Sequence, residues 1–516
     1  MNSMFNLIKL NTTSVKDKAH LISVSIKEGN LYPLQPNDIL ELNQLNINSI
    51  STIPNQLTLN CSLTSSISKV LILIIKSKRI KLTELTLNKV NINFEFIKEL
   101  FTVIGKSEYL KKLTLTHCKL NGKLIKVFLT AISKNEKIKL NTLIFKKCEF
   151  SYKACKVFSK CYPKNISFQL NYLSLIECSF NTDGFQLITE LFKFNTSIVE
   201  LDLSYCLIGL EGIRVLINSI ENNSTLTSLN LEGNKIDIQS YLLLLIYLQN
   251  SNNQLENLNL NDNLLSDTGV RVLFNSLHNN NKLKFLTLKN NGITNAACEE
   301  LKLMLSVNTK LLSLDLAFNS IGIEGGKLIS EGLKQNTGLQ QLIIHHNNLS
   351  KLGVNYILRQ SITQSTLQSI DLTNNKVNES DLYYNLLPYL KHNYQLKTLI
   401  IEYNFPHWEE LYNQIQFYLT RNFIFYNEKT MAAVNVLFGT RLFCYKGIKG
   451  RQFSNEVLEF IAMGFDRNNL LSRKEAKRIL LFGKDNNSLK LRLTKLEYLK
   501  LIFGENFCLF PVSYNN

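Results

Sequence analysis

Few residues in this chain are placed to do chemistry together. His345 and His346 are adjacent, and adjacent strand residues point to opposite faces, a poor geometry for gripping one metal ion. The chain holds 10 cysteines, yet no pair has zinc-ligand spacing, and Cys155 and Cys161 stand too far apart for a C-x-x-C motif. Asp466, Asn468 and Glu475 imitate a calcium loop, but the glycine of its turn is missing and the closing carboxylate comes about two positions early. Phosphate-binding loops, the G-x-S-x-G elbow, H-E-x-x-H and the kinase signatures do not occur. These side chains predict no catalytic centre, no metal and no cofactor.

The elements that would position any functional residue are written more plainly. Leu226, Leu229, Leu231, Asn234 and Ile236 return as Leu283, Leu286, Leu288, Asn291 and Ile293, and again as Leu311, Leu314, Leu316, Asn319 and Ile321. This spacing, repeated about every 28 residues, is the leucine-rich-repeat signature, in which each unit supplies one short strand and one helix. Strands are expected to begin at Leu82, Leu110, Leu140, Leu170, Ile198, Leu226, Leu255, Leu283, Leu311, Leu339, Leu367 and Leu396, which makes 12 repeats. Leu57-x-Leu59 lies one repeat length earlier, and Leu21, Val24 and Ile26 fit loosely, so residues 1–79 read as degenerate first units capping an open end. Beyond each strand, segments such as Leu265 to Leu277 space their apolar residues three or four apart, the helical period. Cys118, Cys148, Cys178 and Cys206 stand where later units have asparagine, an interior place that suits a small apolar side chain.

The predicted class is therefore α/β. A solenoid fills residues 80–421, with parallel strands on a concave side and helices on a convex side; a basic, mostly helical domain or cap follows at 422–516. An apolar content of 45% excludes a disordered chain, and no window approaches the roughly 18 apolar residues of a membrane span. The N-terminus has no apolar h-region, so a cytoplasmic, reduced setting is expected.

A helix in every unit, a length of 28 to 30 residues and Cys or Asn at the ninth position resemble ribonuclease-inhibitor-type leucine-rich repeats. That resemblance implies a horseshoe and a binding role, but no single partner, because the architecture hosts inhibitors, sensors, GTPase activators and scaffolds. Ribonuclease inhibitors meet a basic enzyme with an acidic surface, whereas this chain carries net charge +17. Activators of the Ran GTPase carry an acidic tail, and the tail here is basic. Bacterial leucine-rich-repeat ubiquitin ligases use Cys-x-Asp, but Cys444 is followed by Tyr445 and Lys446, and Cys508 by Leu509 and Phe510. The Asn-, Lys- and Ile-rich composition with a small basic tail resembles effectors that intracellular bacteria export by a type IV system, which needs no cleaved signal.

The non-leucine strand residues and the two residues before the Asn or Cys are expected to face the concave side. They fall into three zones. The first holds Lys89, Lys112, Lys146 and Lys147 with His117; the second Glu200, Asp202, Glu232 and Asp262 with Tyr205; the third Phe285, Phe318, His345, His346 and Tyr403. Exposed aromatics on a rigid sheet are common interface anchors. Residues 80–197 hold 19 Lys plus Arg against 9 Asp plus Glu, while residues 198–406 hold 15 against 18, so the ends attract anionic surfaces and the middle repels them. Arg473, Lys474, Lys477 and Arg478 form a basic run able to touch phosphates of nucleic acid or acidic lipid, or simply to solvate a helix face. The function expected from these columns is that of a monomeric, non-enzymatic scaffold gripping a partner protein in the concave face. The alternatives are a GTPase activator or an unrecognised enzyme within the tail.

Overall fold

The computed structural model describes residues 81–426, with breaks at 89–93, 136, 162–168, 195–196, 251, 364–365, 378–385, 394 and 402–407, and upstream only 56–59, 71–72 and 75–76. Lys89, Tyr403, Cys444, Cys508, the calcium-like loop and the run Arg473, Lys474, Lys477 and Arg478 lie outside the described residues. So do nearly all of residues 1–79 and 422–516.

Two units are distinguished, residues 1–377 with 400–402 and residues 378–399 with 403–516. The first contains the regular repeats. In the second, the described helices are Leu387–His392 and Trp408–Tyr426.

The leucine spacing dictates the sheet. One register row across neighbouring parallel strands carries Leu57, Leu85, Leu113, Leu143, Leu173, Leu201, Leu229, Leu258, Leu286, Leu314, Leu342 and Ile370. From Leu85 onward every member of that row is exposed by 2% or less, and each contributes about 1.5–3 kcal/mol of apolar burial. Among the described residues the main sheet has thirteen strands in plain sequence order, as expected when each strand returns beside its predecessor through one helix. The upstream strand Gln56–Leu59 pairs Leu57 with Leu85 and Leu59 with Leu87, one more parallel strand beside Glu84–Asn88.

Between strands the chain forms the helices that the period of three or four predicted. Ser266–Leu277 buries Val270, Leu273, Phe274 and Leu277, one face of a helix, and leaves Arg271 and Asn275 outside. Four of the described α-helices are capped by side chains at their starts: Asn121 accepts from the Leu124 amide, Ser151 from that of Ala154, Asn181 from that of Gly184 and Asp237 from that of Ser240.

Two columns of asparagine tie one coil to the next. In the first, the Asn319 amide donates to the carbonyls of Leu288, Leu316 and Ala317, while its oxygen accepts the buried N–H groups of Asn291 and Ile293 at 3.0 Å each. Asn234, Asn263 and Asn347 repeat the pattern. In the second column, the Asn308 amide donates to Leu277 and Asn280 carbonyls of the preceding unit and its oxygen receives the Lys310 and Leu311 amides. Cysteine in the early units performs only the donor half: Cys148 donates to the Leu115 carbonyl, Cys178 to Phe145 and Cys206 to Leu175. All described cysteines are free thiols.

Candidate functional site

The strand side is shaped by one backbone device. The residue just before each Cys or Asn adopts a left-handed conformation: His117, Lys147, Glu177, Tyr205, Asp262, Asn290, Phe318, His346 and Asn374 have φ between 52° and 56°, and Gly233 has 68°. L-residues occupy that region at a cost, so the surrounding bonds must hold them there. They do. The Tyr205 N–H donates to the Glu232 carbonyl at 2.7 Å, that of Phe318 to His345 at 3.0 Å and that of His346 to Thr373 at 2.9 Å, which carries the parallel ladder past the ends of the strands.

Tyr205 lies across two units. Its hydroxyl donates to Glu232 Oε1 and to Asp262 Oδ2, both at 2.8 Å, one hydrogen shared by two carboxylates. The ring can cross because the intervening left-handed residue is Gly233; a Cβ there would overlap the ring. Asn259 donates to Glu232 Oε2 at 3.0 Å and Asn290 to Asp262 Oδ1 at 2.8 Å. Burial, and then the two carboxylates, hold the Tyr205 phenol above its ordinary range. Burial pushes the Asp262 carboxyl up, but Asn290, Tyr205, Glu232 and Lys289 together outweigh it and leave the group below the usual carboxylate value.

A second cluster gathers around Phe318. Its ring stacks on His346 at 4.1 Å, meets His345 edge-on at 5.1 Å and lies under Lys289 Nζ at 4.7 Å. Contrary to the expectation from strand alternation, His345 and His346 do not diverge: their Nδ1 atoms are 2.7 Å apart. The left-handed turn at His346 is the reason, since period-two alternation holds only for extended residues. His346 Nε2 also lies 2.7 Å from the Asn374 amide nitrogen. Burial lowers the His345 pKa, with His346 and Lys289 acting in the same direction against Asp371 and Asp315.

The other candidates are dispersed. Phe285, 45% exposed, stands in the register row of Tyr172, Glu200, Ser228 and Asn257. Glu200 is exposed, while Asp202 is buried and accepts from the Ser204 amide. Among the described residues none of Glu200, Asp202, Glu232 and Asp262 makes an ion pair. The basic zone is largely neutralised within itself: Lys112 pairs with Glu84 at 3.3 Å and Lys147 with Glu177 at 3.2 Å, leaving Lys146 exposed and His117 bonded to Asn88. Gly233, Asn259, Lys289, Asn290 and Asn374 were not singled out from sequence. Their signal was present, for each lies one or two repeat lengths from the residue it serves.

Little here suits bond-making chemistry. The thiols of Cys155, Cys206 and Cys298 are pushed up by burial, to about 11, 12 and 12, which disfavours the nucleophilic thiolate. Among the described residues no three His, Cys, Asp or Glu side chains converge as a metal site, and no described helix is long and apolar enough to cross a membrane.

The family model described as "Leucine Rich repeat" matches residues 194–216, 222–237 and 307–330. No curated protein matches the chain. Among solved structures, the chain is similar to the Rad7–Elc1 complex in yeast, at 15% identity over 78% of this chain and 93% of that one, with a TM-score of 0.42. It is also similar to the leiomodin-1 actin-binding site 2, at 18% identity over 33% of this chain and 82% of that one, with a TM-score of 0.22. Leucine ladder, parallel sheet and family match agree: the chain carries leucine-rich repeats folded as an α/β solenoid.

Proposed function

We propose that the chain is a non-enzymatic scaffold that seats a partner protein on the strand side of its repeats, between Glu200 and His346. The observation behind this reading is that exposed aromatic side chains there are held in place before any partner arrives. Tyr205 is 43% exposed yet tied to two carboxylates, and Phe318 is 41% exposed yet stacked on His346. Side chains fixed in advance lose little conformational entropy on binding, about 0.5–1.5 kcal/mol less for each than a free rotor would. The helices of ten to fourteen residues that follow each strand from Glu84–Asn88 to Gln341–Ile343 support the ribonuclease-inhibitor subtype as part of the same reading.

Phe285 provides the test. It is exposed, and no ring contact or side-chain hydrogen bond of the described residues holds it, so alanine there leaves the fold alone. A central aromatic anchor contributes about 2 kcal/mol or more, and Phe285→Ala should weaken capture of the partner roughly thirtyfold without moving the melting temperature. Undiminished capture by Phe285→Ala combined with Phe318→Ala would show that the strand side is not the binding face.

A further inference from the structure

Two neighbouring helices, Gly122–Ser133 and Tyr152–Cys161, carry five lysines and no acidic residue: Lys123 and Lys126 on the first, Lys153, Lys156 and Lys160 on the second. All five are exposed. Among the described residues none of them is ion-paired, whereas Lys76, Lys112, Lys119, Lys137 and Lys147 each have a carboxylate within 3.7 Å. The helices bury their opposite sides through Leu124, Ile125, Phe128 and Leu129 and through Ala154, Cys155 and Phe158. They pack so closely that a Cβ on Gly122 would stand 2.9 Å from the Lys153 carbonyl oxygen. Lys123 and Lys153, and likewise Lys126 and Lys156, are one 30-residue repeat apart and form two adjacent rungs of like charge. Such a cluster repels itself, and no carboxylate on either helix offsets it.

We propose that this helical face docks on an anionic phospholipid membrane. Charge complementarity favours that occupant, since each lysine close to an anionic bilayer is drawn to it. The absence of arginine from residues 81–197 argues in the same direction. Recognition of discrete phosphates in nucleic acid or phosphopeptide relies on the bidentate guanidinium fork, whereas lysine acts as a point charge suited to a diffuse anionic surface. Tyr152, 44% exposed at the start of the second helix, supplies an amphipathic ring of the kind that settles at headgroup level. The proposal concerns the helices rather than the strands and stands independently of the partner reading.

The test is co-sedimentation of the full chain with phosphatidylcholine vesicles, with and without phosphatidylserine, at low and high salt. Binding should require phosphatidylserine and fade with salt. Each lysine removed should lower the partition coefficient about fivefold, and Lys123→Gln with Lys126→Gln about 25-fold. Lys153→Gln with Lys156→Gln should do the same, and Arg473→Gln with Lys474→Gln tests the alternative that the basic run of the tail carries the binding. Thermal melting checks that each variant keeps its fold. The proposal is overturned if the intact chain ignores phosphatidylserine vesicles, if the helix variants bind as well as the intact chain, if only the tail variant loses binding, or if duplex DNA is bound in place of vesicles.

Discussion

Replacing Gly233 with alanine separates backbone strain from the hold on Tyr205. Gly233 has φ +68° and a Cβ there would collide with the Tyr205 ring; Gly292 has φ +70° and a Cβ there would meet nothing within 4 Å. The two sites therefore share the left-handed penalty, about 1 kcal/mol for alanine over glycine. Only at Gly233 must the ring also leave, which breaks its hydroxyl bonds to Glu232 and Asp262. A hydrogen bond to a charged group contributes about 1.5–3 kcal/mol when sheltered, and the exposure of Tyr205 brings it to about 1 kcal/mol. Gly292→Ala should thus cost about 1 kcal/mol and Gly233→Ala about 2 kcal/mol in urea unfolding. A second readout is specific: the Tyr205 phenol, held above its ordinary range by burial and the carboxylates, should return toward it in Gly233→Ala alone, as followed by carbon NMR with Tyr205→Phe as reference. Equal stability loss in the two variants with an unmoved phenol titration would refute the account of Gly233.

Asn319→Ala leaves the buried amides of Asn291 and Ile293 without an acceptor and should cost about 2–5 kcal/mol, with faster hydrogen exchange at those two amides; Asn319→Cys, which keeps a donor to the Leu288 carbonyl, should lose about 1 kcal/mol less. For His345 the folded pKa is lowered, so the unfolded chain takes up the proton first. Its contribution is fully present above pH 6.5 and is lost as pH falls below that value through the depressed one. His345→Gln should flatten this acid limb of the stability profile, and an unchanged limb would contradict the role of burial at that ring.

The strand starts and the leucine row were legible because burial repeats with the sequence period, so Leu226, Leu283 and Leu311 announce themselves. The Cys and Asn column was legible as interior for the same reason. Side-chain geometry on the strand side was not. His345 and His346 were expected to diverge because alternation presumes extended backbone, and the left-handed residue found in each coil from His117 to Asn374 departs from it. The basic zone likewise looked free in sequence, since Lys112 and Lys147 find Glu84 and Glu177 one unit away, partners that show only when neighbouring repeats are aligned and not along a single strand. Tyr205 shows the same limit, for one of its carboxylates lies 57 positions along the chain.

Both asparagine columns point the same way. Asn319 completes the coil before its own by receiving Asn291 and Ile293, and Asn308 closes the end of the previous helix at Leu277. Where asparagine holds the column, side chains of one coil complete the backbone of the coil before it. The stack is therefore polar, like a row of roof tiles in which each course is weatherproofed by the next one laid. Trimming an asparagine-bearing coil from the C-terminal edge removes the side chain that completes the last coil kept, as loss of Asn319 would bare the Asn291 and Ile293 amides.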